Sequence, residues 1–196
     1  MDTMLDIVGS MVIASLIMLA VLKVNTSLAD TGSDTNVSVI TQSNITQIAN
    51  SINYDFYKIG FRASPAIIFA DSDKIVFRAD LERTGIPDTV RYWVSAPIDA
   101  PELNPNMRIL YRSVDSEQPT GASLGQTKFL LNYYDSTGAM MYIPAADTTN
   151  LSVLSKIKSI KVTVKVESPN LLMSDSTYAG AYWEEFISPK NLRTLM

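Results

Sequence analysis

The sequence predicts an α+β protein in which one long N-terminal helix, hydrophobic in its first half and amphipathic in its second, packs on a mainly antiparallel β-sheet head. Three observations predict this. Ile7 to Leu22 is an uncharged apolar run, opened by Asp2 and Asp6 and closed by Lys23. Helical spacing of apolar residues then continues to Ile59. From Ala66 onward the period drops to two, and Gly, Pro and Asp turns punctuate short apolar strands. Such a pattern places one helix before a set of hairpins.

With Met4 and Leu5 added, the apolar run extends about 28 Å as a helix, close to the hydrocarbon thickness of a bilayer. It does not read as a cleavable secretory signal, because its leading charges are acidic and its apolar core is too long. Met1 reads as the first residue of a mature chain after removal of a short basic leader, or as the initiator, in which case Lys23 alone favours the cytoplasmic side. Residues 25–35 are rich in Ser, Thr, Asn and Asp, which compete for helical hydrogen bonds, so the helix is expected to weaken or kink there with Gly32 as the break. Val37, Ile40, Ile45, Ile48, Ile52, Phe56 and Ile59 then form one apolar stripe opposite Gln42, Asn50 and Asp55. Asn36 or Ser38 is the expected cap, and Gly60 with Pro65 ends the helix. The chain therefore divides into a hydrophobic assembly or transmembrane helix with its kink region, 1–35, and a head, 36–196. The head comprises an amphipathic helix over 36–61 and a sheet over 66–192.

Within the head, strands are expected at 66–70, 74–81, 90–94, 107–112, 128–134, 139–143, 160–166 and 178–187, with a short helix at 151–157. Asp71 to Lys74 and Asp135 to Gly138 read as hairpin turns, and Gly121 and Gly125 fall in a polar loop. The segment Ile160 to Val166 alternates valines inward with lysines outward.

This layout resembles the type IV pilin-like family of pilins, minor pilins and type II secretion pseudopilins. The resemblance covers nearly the whole chain and rests on four stretches: the apolar helix with an acid near its start; Ile45 to Phe61, similar to the amphipathic second half of the family helix and its exit; Asp73 to Leu81 followed by Thr89 to Val94, similar to a strand–turn–strand pattern of minor members; and the closing Ser188-Pro-Lys-Asn-Leu192. The family pattern has a basic leader ending in Gly, then Phe at mature position one and Glu at position five. Here those positions are Met1 and Leu5, so Asp6, and after it Asp2, takes the place of the family's acid. The resemblance implies that this carboxylate pairs with the N-terminal amine of a neighbouring subunit. It further implies a subunit of an extracellular filament that polymerises through its apolar helix, after waiting in the cytoplasmic membrane and engaging an inner-membrane assembly machinery. Met1, Asp2, Asp6, Gly9, Ser10 and Ala14 are then the assembly residues, the small ones allowing close helix approach, and Gly32 is a hinge. Two alternatives accompany this expectation: a minor pilin or pseudopilin that primes or caps such a fibre, and a single-pass anchor carrying an extracytoplasmic binding module.

Other classes of function find less support. The net charge of −4 offers no field for nucleic acid. The chain has no histidine and no cysteine, which removes the usual base, the common zinc ligands and any thiol nucleophile, and an enzyme and a cofactor are not expected. Asp71 and Asp73 are weak metal candidates that lack the spacing of a calcium loop. The aromatics Tyr54, Phe56, Tyr57 and Phe61 fit a core better than a path for electrons. Asn25, Asn36, Asn44 and Asn150 each open an Asn-x-Ser/Thr sequon and are candidate glycosylation positions.

Overall fold

The fold is α+β, with a long N-terminal helix packed on a curled antiparallel sheet in a computed structural model that describes residues 2–100 and 103–193. Helix α1, Asp2–Phe56, is 55 residues long and extends about 82 Å. It is followed by strands β1 (Ile67–Ala70), β2 (Lys74–Ala79), β3 (Asp88–Val94), β4 (Arg108–Val114), β5 (Thr120–Tyr134) and β6 (Met140–Met141). After a 3-10 turn at Ala145–Asp147 come α2 (Leu151–Leu154), β7 (Ser159–Leu171), β8 (Tyr178–Ile187) and α3 (Lys190–Arg193). The sheet runs β1-β2-β3-β4-β5-β7-β8, with β6 added to the end of β5, and every pairing is antiparallel.

The expected break in α1 is absent: the helix runs unbroken through residues 25–35. The hydroxyls that were expected to compete with the helix instead serve it. Thr26, Thr31, Thr35 and Ser38 each donate to the carbonyl one turn earlier, at 2.8 to 3.0 Å, so their polar groups are satisfied without disturbing the ladder. Gly32 sits among them in ordinary helical geometry with open space around it. Asn36 and Ser38 are therefore interior positions rather than caps.

The last four turns of α1 form the core against the sheet. Ile45, Ile48, Ile52 and Phe56 are buried, and Ile59 just beyond the helix joins them. Phe56 is the hub: its ring meets Phe77 of β2 and Tyr92 of β3 edge-to-face at 5.6 and 5.4 Å. Ile75, Val90, Val162, Val164 and Val166 fill the sheet side. Two members of the anticipated helix stripe fall elsewhere. Ile40 is 59% exposed, and Asp55, expected on the wet face, is buried. The buried face is centred on Thr41, Ile45, Ile48, Ile52 and Asp55, which rotates it slightly from the purely apolar stripe.

The helix stops at Phe56, short of the expected 61, in a turn where Gly60 adopts φ +76° and its N–H donates to Arg78 O at 2.9 Å. Gly121 and Gly125 are not loop residues but part of β5, the longest strand. Gly125, at φ +83°, lies at a point where a side chain would collide with the Glu167 carbonyl of β7, so only glycine permits that close approach. The strand expected at 139–143 is limited to Met140–Met141, and the helix at 151–157 to Leu151–Leu154.

Phe56→Ala should destabilise the detergent-solubilised chain by about 3–5 kcal/mol, because it empties the hub of the core. Ile40→Ala should change stability by less than about 0.5 kcal/mol. Chemical unfolding of the two variants checks both, and equal losses would contradict the observed helix rotation.

Candidate functional site

Two differently solvated halves of α1 make up the candidate site. Residues 6–29 all have exposed side chains, including Ile13, Leu16, Ile17 and Leu19, each about three-fifths accessible. By length and composition this helix is apolar enough to cross a membrane. An apolar surface this long and continuous has no counterpart elsewhere in the described head, where large apolar side chains are exposed singly.

Asp6, Gly9, Ser10 and Ala14 all lie on this free stem. Asp6 makes no ion pair, and Ser10 Oγ donates to Ile7 O at 2.9 Å. A side chain at Gly9 would meet nothing within 4 Å. Met1 and the side chain of Asp2 lie outside the described residues. Of the sequons, Asn25 and Asn36 are exposed on α1. Asn44 is engaged, its Nδ2 donating to Leu124 O at 3.2 Å. Asn150 caps α2, accepting from Ser152 N at 3.1 Å. Asp71 serves its turn by accepting from Ser72 N at 2.7 Å. Among the described residues, no three carboxylates gather as a metal site.

Four polar ties fasten the second half of α1 to the head. The first is Asp34, whose two carboxylate oxygens accept from Met173 N and Ser174 N in the β7–β8 turn at 2.9 and 3.0 Å. The Ser174 side chain and the Met173 N–H hold this carboxyl below its ordinary 3.8. Next comes the Asn44 bond to β5. Glu185 of β8 then accepts from Asn53 Nδ2 at 2.8 Å and from the Tyr57 hydroxyl at 3.0 Å.

The fourth tie is Asp55. It accepts from Arg112 Nε at 2.6 Å, from Arg112 at a second nitrogen at 3.2 Å and from the Tyr92 hydroxyl at 2.6 Å. Asp55 is 1% exposed, whereas Arg112 keeps about a third of its side chain in water. Burial, then the neighbouring Asp55 charge, pushes the Tyr92 hydroxyl up, so it remains a donor at any physiological pH. The Asp55 bond raises Arg112. This cluster lies beside a groove of about 220 Å³ bordered by Gln47, Ser51, Tyr92, Leu110, Arg112 and Leu124. A fork of two nitrogens on one carboxylate fixes rotation as well as distance. It sets the azimuth of α1 on the sheet, and with it the direction in which the stem presents each side chain.

Asp34, Asp55 and Glu185 were not singled out by sequence reasoning. Each sits in a helix or strand pattern as an ordinary polar residue, and its partner lies 37 to 140 positions away. No protein-family model matches this chain, and no curated protein is similar to it.

Arg112→Met should cost about 3–5 kcal/mol, since it leaves the Asp55 carboxylate buried without its cation. Adding Asp55→Asn should recover part of that loss, with a coupling of about 1–3 kcal/mol in a double-mutant cycle. Additive losses would mean that the pair does not act as a unit. Because the folded Asp34 carboxyl lies below 3.8, its tie is present above that pH and is lost as the pH falls through the lowered folded value. The Met173 and Ser174 amide signals in NMR should therefore shift together in that acid range, and Asp34→Asn should remove the transition.

Proposed function

We propose that this protein is a structural subunit of a type IV pilus-like filament, polymerising through the stem of α1. The observation that carries the reading is the length and attachment of that stem. The helix projects about 48 Å before its first tie to the head at Asp34, well beyond the 30 Å that a bilayer anchor needs. It continues without a joint into the core of the head. A tether for a binding module needs an apolar span but no rigid extension. A polymer needs the stem held at a fixed angle to the head, so that every copy presents the same surfaces.

In this reading the membrane is where the stem waits, inserted in the cytoplasmic membrane and engaged by an inner-membrane assembly machinery. The filament core, made of stems from many copies, is its final surroundings. Helix-to-helix packing then replaces contact with lipid tails. Asp6, with Asp2 and Met1 beside it, is the polar end of that contact, and Gly9, Ser10 and Ala14 let neighbouring stems approach closely. Gly32, with open space around it, is the position at which the stem unwinds on assembly. A cell-surface location outside the membrane follows for the heads. One observation favours a second reading: residues 7–22 lie between Asp6 and Lys23 like a single span between two interfaces, which fits a simple membrane anchor.

Electron microscopy of material sheared from cells that make the protein separates the two. Uniform fibres composed of this chain are expected, and Asp6→Ala should reduce their yield at least tenfold while leaving head stability unchanged. Protein confined to the membrane fraction, with no fibres, would support the anchor instead.

A further inference from the structure

Between residues 3 and 29 the stem carries two charged side chains, Asp6 and Lys23, and Lys23 is the sole cation in the first 57 positions. Both are exposed, and neither makes an ion pair within the chain. They are 17 positions apart, about 26 Å along one helix, so they cannot meet in a single copy. A stem that buries itself among other stems takes both charges out of water, and an unpaired charge in such surroundings is strongly disfavoured.

Three simple arrangements of two stems differ in what they do with these charges. Parallel stems in register set Asp6 beside Asp6 and Lys23 beside Lys23, which repels at both ends. Antiparallel stems pair both charges, but they close into a dimer with heads at opposite ends of the apolar segment. Chains inserted in one membrane in a common orientation cannot reach that arrangement. Parallel stems displaced by 17 residues bring Asp6 of one copy to Lys23 of another and leave one acid and one amine for the next copies. That contact is heterologous and open, the kind that generates a filament rather than a closed oligomer.

Resting on the filament reading above, we propose that Asp6 and Lys23 form the docking register of the stem, each Asp6 pairing with Lys23 of a second copy and fixing an axial offset of about 26 Å. The partner is another copy of this chain. The ion pair selects the register because apolar side chains along residues 7–22 would tolerate many.

The absence of cysteine makes this testable in the full chain. Ser10 and Ser27 are exposed, lie one turn beyond Asp6 and Lys23, and share their 17-position separation. In the Ser10→Cys/Ser27→Cys variant, oxidation of sedimented fibres should give a reducible ladder well beyond the dimer, in steps of 21.6 kDa. Adding Lys23→Gln or Asp6→Asn should diminish the species above dimer at least tenfold, and Asp6→Lys/Lys23→Asp should restore them. A ladder unaffected by Lys23→Gln would overturn the register, as would dimers alone or fibres that do not cross-link. Those outcomes leave the filament itself standing, whereas a parent chain that forms no fibres would remove both.

Discussion

The packing of Ile45, Ile48, Ile52 and Phe56 against the sheet is the constraint on which the rest of the molecule depends. It fixes one end of a rigid helix, and everything about the stem follows from that end. A helix is stiff along its axis, so fastening its last four turns aims the preceding thirty residues as well. Hydrophobic burial supplies most of the hold but little rotational preference, because neighbouring apolar rows would pack nearly as well. The carboxylates of Asp55 and Asp34 add that preference, one at the base of the helix and one where it leaves the head. Glu185 works between them from the edge strand.

Much of the fold was legible because its signals are local. The change from helical to strand period at residue 66, the bounds of β8 and the alternation in β7 need nothing beyond neighbouring residues. The errors share a physical origin in partners far along the chain. Asp55 reads as a wet-face residue until Arg112 and Tyr92 are placed beside it, which then rotates the buried face away from Ile40. Gly125 reads as a loop residue until Glu167 of the adjoining strand is seen to leave no room for a side chain. At Gly32 the error was different: a run of hydroxyl residues was weighed by its intrinsic helix preference. Within an already long helix, those hydroxyls find acceptors one turn back. The apolar stem, with Asp6, Gly9, Ser10 and Ala14, was legible from composition alone, whereas its rigid attachment was not.

The two halves of α1 obey opposite rules. The second half has found its partner within the chain, and its polar residues are satisfied by name. The first half has an apolar surface, two lone charges and no partner within its own copy, an arrangement that is unfavourable in water at every position from Ile7 to Leu22. A self-association through the stem relieves this without changing the head, and the fixed azimuth lets each copy repeat the same contact. That is how a single helix serves as both a core element and an assembly surface.

The central claim is that the stem is buried by protein rather than by lipid. Hydrogen exchange of the full chain, measured on sedimented material after lipid and detergent are removed, tests it most directly. The account predicts that backbone amides from Ile7 to Leu22 are as protected there as those from Ile45 to Phe56. Rapid exchange of the stem in that material, with protection returning only in a bilayer, would contradict it.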